Sequence, residues 1–275
     1  MSNNPPLTSR RRDVGYERLL DGRVVLVSGG TTGVGAATAV AASHAGASAV
    51  VITGRRPEAA EATLASVRAS GAQALYVQAD VAQVEQAIAS VEQTVSTYGR
   101  IDCLVNSAAV VDRGTLLETT PEFFDWHVAV NLRAPFFTMQ AAVKDMLSRG
   151  APGTIVNILS TSMHVGQTIL AAYVASKGGL AHVTKNAAHA HRFDRIRING
   201  LNIGWTISEG EDAIQRRAHG ATDGWYEKAA AGMPMGKLGQ PDEIADFIVF
   251  LLSERSGVVT GSIIDWDQNV IGALD

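Results

Sequence analysis

The sequence predicts a doubly wound α/β fold, an open parallel sheet with helices on both faces, formed as a single domain. Three observations carry this expectation. Seven short apolar runs of strand length recur along the 275 residues. Alanine-rich or amphipathic stretches of helical length separate them, so that strand and helix alternate throughout. A glycine-rich turn joins the first run to the first helical stretch.

Val24 to Val27 is a continuous apolar run between Asp21-Gly22 and a glycine cluster, which suits a parallel strand covered on both faces. The other runs are Ala49 to Thr53, Ala74 to Gln78, Ile101 to Val105, Thr154 to Leu159, Ile196 to Ile203 and Ser262 to Asp265. Helices are predicted over Gly35 to Ala45, Pro57 to Ala69, Val81 to Tyr98, Pro121 to Leu147, Ala171 to Arg192 and Pro241 to Leu252. Gly46, Gly71 and Gly99 stand where a helix end favours a left-handed residue, and Pro57, Pro121 and Pro241 where a first turn accommodates proline. Parallel neighbours require crossovers, and these are right-handed. No repeat, low-complexity tract or interdomain linker interrupts the pattern, so the domain is expected over residues 21–275, after a flexible arm over 1–20.

A net charge of −4 without a dominant basic stretch lacks the electrostatic footprint of a nucleic-acid binder. The arm carries Arg10, Arg11 and Arg12 but no apolar run long enough for a signal peptide or membrane span, which predicts a cytoplasmic protein without a membrane partner. Cys103, the single cysteine, stands among Ile101, Leu104 and Val105 and reads as a buried, inert thiol. His182, His189 and His191 share one predicted helix, yet no carboxylate or cysteine completes a ligand set, so no metal is expected.

The glycine turn reads Ser28-Gly29-Gly30-Thr31-Thr32-Gly33-Val34-Gly35. Glycine lets the backbone approach a pyrophosphate, and the following helix start supplies free N–H groups and a favourable dipole. Gly29, Thr31, Thr32, Gly33, Val34 and Gly35 are therefore candidate dinucleotide contacts. The second strand ends Ile52-Thr53-Gly54-Arg55-Arg56, with glycine where an acid would bind the adenosine ribose of NAD(H). Arg55, with Arg56 as second candidate, matches a 2′-phosphate in charge and fork geometry, which favours NADP(H) over NAD(H). Both are otherwise solvated loop residues.

Tyr173 and Lys177 lie four residues apart on one helical face. A nearby ammonium stabilises a phenolate, and so moves tyrosine towards acid/base work near neutral pH. Ser160 ends a predicted strand thirteen residues earlier, where its hydroxyl can bond the substrate oxygen that Tyr173 protonates.

With Asp80-Val81 after the third strand, Asn106-Ser107-Ala108-Ala109 after the fourth, Asn131, and the segment Asn202 to Ser208, these motifs resemble the short-chain dehydrogenase/reductase family, in its branch of about 250 residues. The spacing GxxxGxG at Gly29, Gly33 and Gly35 belongs to the resemblance, which spans Asp21 to Gly261. It implies a Rossmann-like seven-stranded domain binding NAD(P). Asp80 and the Val81 backbone would then hold adenine, although an Asp before a helix is by itself an N-cap. Asn106 and Ala108 would flank the cofactor, and Gly204, the Thr206 backbone and the Ser208 hydroxyl would meet the nicotinamide carboxamide. Tyr173 and Lys177 would also contact the cofactor, Lys177 at the nicotinamide ribose, and Asn131, through a helix distortion and a water, would complete a proton relay. The family's Asn-Pro-Gly has Ile203 for proline, its usual threonine is Ser208, its Ala-Gly ending has Ala109, and its terminal Asp-Gly-Gly is replaced at Asp267-Gln268-Asn269.

The resemblance also places a substrate lid over residues 205–236, with an acidic start at Glu209-Gly210-Glu211-Asp212. That charge opposes an acidic acyl carrier and ranks a 3-oxoacyl thioester below a small secondary alcohol, polyol or cyclic ketone. His164, Trp205 and Trp225, with Met163, Ile169 and Tyr226, are candidate pocket residues. The two long helices and the segment Thr260 to Trp266 resemble the family's assembly surfaces, which implies a homotetramer, with a homodimer as the alternative. A catalytically silent NADP(H)-sensing protein is the competing class of function, and the intact Ser160, Tyr173 and Lys177 favour the enzyme.

Overall fold

All seven apolar runs form strands of one parallel sheet in the computed structural model, which describes residues 18–272. They are β1 (Val24–Ser28), β2 (Ala49–Gly54), β3 (Gln73–Gln78), β4 (Cys103–Asn106), β5 (Gly153–Ser160), β6 (Ile196–Ile203) and β7 (Ile263–Trp266). Their order is β3-β2-β1-β4-β5-β6-β7. The chain thus starts in the middle, builds to one edge, and returns to the other side of β1. Val27 pairs with Ile52 of β2 on one side and with Val105 of β4 on the other. At this switch of direction the connections leaving the two neighbours of β1 diverge and open a crevice at the carboxyl ends of the strands.

The helices are α1 (Gly33–His44), α2 (Glu61–Ala69), α3 (Val84–Tyr98), α4 (Pro121–Val128), α5 (Ala134–Ser148), α6 (Ala171–His191), α7 (Glu209–His219), α8 (Trp225–Ala231) and α9 (Pro241–Leu252). Strand side chains alternate between two cores, as a period of two requires. Val25, Val27, Val50 and Ile52 pack with Ala39 and Ala42 of α1 and with Ile244 and Ile248 of α9. Leu26, Val51, Leu104 and Ile155 pack on the other face with Val91 of α3, Met139 and Met146 of α5, and Leu180 of α6. Each such side chain contributes about 1.5–3 kcal/mol by leaving water, so the sheet that carries the site is rigid from both faces.

Several boundaries differ from the sequence expectation. Leu20, placed in the arm, is buried in the first core and donates its N–H to Ala45 O, so the domain reaches back before Asp21. The arginines at 10–12 lie outside the described residues. Helix α3 starts at Val84 rather than Val81: Asp80 Oδ1 accepts from Ala82 N at 3.1 Å, and Gln83 takes the capping position. That turn leaves Asp80 and Val81 on a loop. The long stretch from Pro121 is divided by a π-helical turn, Ala129–Arg133, that contains Asn131. The region 205–236, read only as a lid, contains α7 and α8.

Cys103 is buried, and burial pushes its thiol up to about 11, which keeps it protonated and unreactive. His182 Nδ1 is bonded to Gly178 O and His191 Nδ1 to Asp194. Among the described residues no three His, Cys, Asp or Glu side chains gather as a metal site, and no helix is long and apolar enough to cross a membrane.

Candidate active site

A cleft of about 1000 Å³ opens at the carboxyl ends of the strands and runs from the glycine turn to the start of α6. Gly29, Thr31, Thr32, Gly33 and Val34 form one end of it. Gly29 has φ +78°, and a Cβ there would lie 2.6 Å from the backbone N of Ala108, so the turn and the loop after β4 touch backbone to backbone. Gly35 is not part of the wall. Its place is beneath it, where a Cβ would stand 2.0 Å from Gly29 O. Gly35→Ala is expected to force the turn outward, lowering stability by about 1–3 kcal/mol and weakening NADPH binding. A thermal melt and a fluorescence titration check this, and unchanged values in both contradict it.

Arg55 and Arg56 line the same end, both exposed, beside Gly54. A Cβ at Gly54 would stand 2.5 Å from Thr31 Cγ2, so Thr31 occupies the space that a side chain at the end of β2 would need. Asp80, Val81 and Ala108 also face the cleft. Asn106 does not. Its buried Nδ2 donates to Asn157 Oδ1 at 2.8 Å, and its Oδ1 accepts from Thr138 Oγ1 at 2.7 Å. Asn157 in turn donates to Thr184 Oγ1, so this chain of bonds ties β4 and β5 to α5 and α6 below the floor. A buried amide needs such partners, and Asn106 is corrected from cofactor contact to support.

At the other end stand Ser160, Tyr173 and Lys177. Ser160, the last residue of β5, faces the same cleft as the Tyr173 phenol and donates to Ser162 Oγ at 3.1 Å. Lys177 Nζ lies 5.8 Å from the centroid of the Tyr173 ring and donates to Ile158 O at 2.7 Å. Burial lowers the Lys177 ammonium to about 8. Tyr173 departs from the expected direction: burial raises its phenol, the Ser160 hydrogen bond opposes this, Glu211 adds to it, and Arg113 opposes it. Desolvation therefore outweighs the Ser160 hydrogen bond and the Arg113 charge, and the phenol moves opposite to the direction expected of the Lys177 pairing.

Asn131 is fully buried behind these groups rather than in the cleft. Its Oδ1 accepts from Val110 N at 2.9 Å, and its Nδ2 donates to Val110 O at 2.9 Å and to Ser176 Oγ at 3.1 Å. It thus clamps the loop after β4 to the turn of α6 that carries Lys177. Its side chain is committed to these bonds.

Gly204, Trp205, Thr206 and Ser208 border the cleft beside the lid. Ser208 Oγ accepts from Glu211 N at 3.0 Å and so caps α7, a helix with Glu209, Glu211 and Asp212 in its first turn and Arg216 and Arg217 in its last. The hydroxyl expected at the carboxamide is engaged in this cap. His164 and Trp225 fall outside the wall: His164 Nε2 is bonded to Asp265 Oδ1 at 3.0 Å, and Trp225 donates to Asp212 and stacks at 6.3 Å behind Trp205. Met163 packs into a core and Tyr226 bonds Gln240, whereas Ile169 does line the cleft.

Sequence reasoning missed Arg113, Gln215, Met233 and Asp267, all of which face the cleft. Arg113 Nη2 meets Glu211 Oε1 at 3.4 Å across 98 positions of chain, a pairing with no local signal.

A family model described as enoyl-(acyl carrier protein) reductase matches residues 29–268. The chain belongs to the short-chain dehydrogenase/reductase family. An uncharacterized oxidoreductase of Thermotoga maritima is 35% identical over 246 residues, covering 90% of this chain and 96% of the relative. L-rhamnose 1-dehydrogenase (NAD(P)+) of Sphingomonas sp. is 31% identical, over 89% of this chain and 94% of the relative. Among solved structures, a 3-oxoacyl (acyl-carrier-protein) reductase from Agrobacterium tumefaciens with NADP bound superposes with a TM-score of 0.82 at 27% identity, covering 94% of this chain and 98% of that one. This short-chain dehydrogenase/reductase is accordingly an NAD(P)-dependent oxidoreductase, in a family acting on alcohols and ketones. Its own cradle fits such a dinucleotide, because Gly29, Gly33 and Gly54 present bare backbone to the cleft where α1 begins, with Arg55, Arg56, Asp80 and Val81 along the same lining.

Proposed function

We propose that the protein is an NADP(H)-dependent oxidoreductase that interconverts a small secondary alcohol (polyol, sugar-like or cyclic) and its carbonyl. The carrying observation is that Ser160, Tyr173 and Lys177 converge in the same cleft as the glycine turn. When bound, the nicotinamide supplies or accepts the hydride. In the reducing direction Tyr173 Oη donates its proton to the carbonyl oxygen, and the Ser160 hydroxyl bonds that same oxygen and keeps it in line. In the oxidising direction the phenolate takes the hydroxyl proton back. Lys177, anchored on Ile158 O, presents its ammonium beside the phenol and favours the phenolate, while Asn131 fixes the turn of α6 from which it projects. The π-helical turn around Asn131 supports the relay role that the resemblance assigns to it.

Gly29, Thr31, Thr32, Gly33 and Val34 would hold the pyrophosphate, Asp80 and Val81 the adenine, and Gly204 and Thr206 the carboxamide end. Arg55, with Arg56 beside it, would hold the 2′-phosphate. Arg55→Ala is expected to raise the NADPH dissociation constant about tenfold, or about 1.4 kcal/mol, and to leave NADH affinity unchanged. Fluorescence titrations with both coenzymes decide this, and an unaltered NADPH preference contradicts the assignment. Residues 205–236 act as the substrate lid. Exposed Phe124, Phe136 and Leu147 on α4 and α5 support an assembly surface there, and a homotetramer, with a homodimer as the alternative, is the assembly proposed for it.

The test is a panel of polyols, sugars, cyclic ketones and acyl thioesters, followed by NADPH absorbance. Turnover of neutral alcohols or ketones supports the proposal. Preference for 3-oxoacyl thioesters supports the runner-up, which the acidic first turn of α7 opposes. NADPH-dependent association with a protein and no turnover at all would indicate a sensor.

A further inference from the structure

Glu211 enters the cleft from the first turn of the lid helix, and three groups aim it. Its Oε1 accepts from Trp205 Nε1 at 2.9 Å, from Gln215 Nε2 at 2.7 Å and, more distantly, from Arg113 Nη2 at 3.4 Å. Both members of the ion pair are mostly buried, with side-chain exposures of 12% for Glu211 and 16% for Arg113. Oε2 takes part in none of these bonds. Glu211 and Tyr173 line the same cleft, and the charge of Glu211 reaches the phenol. Arg113 has two further partners, Val111 O at 2.8 Å and His219 Nε2 at 3.3 Å, so its guanidinium is already largely used. Asp267 lines the same cleft beside Gly204, with its Oδ1 accepting from Gln268 N at 2.7 Å.

We propose that Glu211 is a specificity-determining residue, which accepts a hydroxyl of an uncharged polyhydroxylated substrate through Oε2 and turns away the corresponding carboxylates. This rests on the oxidoreductase reading and deepens it by naming the substrate class. A hydroxyl donating to a carboxylate forms a charge-assisted bond, stronger than a neutral one. A substrate carboxylate in the same place would meet the Glu211 carboxylate, whose neighbouring arginine is already engaged by Glu211, Val111 O and His219, and like charges in a partly desolvated site repel strongly. Discrimination of this kind comes as much from the repulsive element as from the attractive one.

The experiment pairs neutral sugars, lactones and polyols with their carboxylated counterparts (aldonates and keto acids) and compares the wild type with Glu211→Gln. The neutral members are expected to have kcat/KM at least about a hundredfold higher, and Glu211→Gln should reduce that ratio about tenfold or more, mainly through KM. NADPH affinity should not change. Glu211→Asp, which keeps the charge one methylene further back, should weaken neutral substrates and still reject carboxylates. Equal or better turnover of the carboxylates by the wild type, or a ratio untouched by Glu211→Gln, overturns the proposal. Should no pair be turned over, the polyol and sugar-like part of the proposed function fails on its own, and calorimetric titration of the same pairs into the NADPH complex decides this one. Neutral-first binding that Glu211→Gln diminishes upholds it; carboxylate-first binding, or none, overturns it.

Discussion

Replacing Tyr173 by phenylalanine is expected to lower kcat about a thousandfold or more, within the range ascribed to a positioned general acid or base. The ring remains, so packing beside Lys177 and the shape of the cleft are preserved, and only the proton-bearing oxygen is lost. NADPH affinity should then stay within about twofold of the wild type, since no atom of the glycine turn is touched. The decisive pair of measurements is single-turnover hydride transfer and a coenzyme titration. A variant that turns over at the wild-type rate removes Tyr173 from the chemistry. Because burial raises the phenol in the free protein while its bond to Ser160 opposes the rise, Ser160→Ala should move the alkaline limb of the rate profile upward as well as slow the reaction.

Lys177→Met should likewise reduce turnover, by at least about a hundredfold, yet its more unusual effect is on stability. Burial takes the ammonium from 10.5 to about 8 in the folded protein. Between those values the unfolded chain holds a proton that the folded one has released, so wild-type stability rises with pH across this window. Below pH 8 both states are protonated and the cost of burying the charge is present in full, on the order of 3 kcal/mol. Methionine carries no such cost, although it leaves Ile158 O without the Lys177 bond, which offsets part of the gain. Urea unfolding should therefore show the variant's stability relative to wild type greatest at pH 7 and falling steadily between about pH 8 and 10. A difference that stays constant with pH would mean that the lysine keeps its ordinary titration.

The sheet was legible because its inner strands are buried on both faces, which writes a continuous apolar run into the sequence at Val24, Ala49 or Thr154, whereas the edge strands β3 and β7 are partly exposed. The start of α3 was not, since Asp80 spends its carboxylate on a turn rather than a cap, and both uses look alike in sequence. The glycine turn and the Tyr173–Lys177 pair were visible for a local reason: spacing along one turn or one helix fixes their geometry. Asn106 and Ser208 mislead because a polar residue in the right place gives no sign of what its side chain bonds, and both are taken by the fold itself. Glu211 was visible only as part of an acidic lid start, and its pairing with Arg113 could not be found from spacing. Their contact depends on how the lid helix lies over the loop after β4, and only the tertiary structure sets that.

Thr31 fills the room above Gly54. Redesign of coenzyme preference is consequently a two-site problem: installing aspartate at the tip of the second strand, to recruit the unphosphorylated nucleotide, collides with a threonine unless that threonine is shortened in the same step. Shortening it alone, to serine or glycine, leaves the arginines in place and prepares the position for the acid. The order in which such changes can be tolerated is thus set by a methyl group.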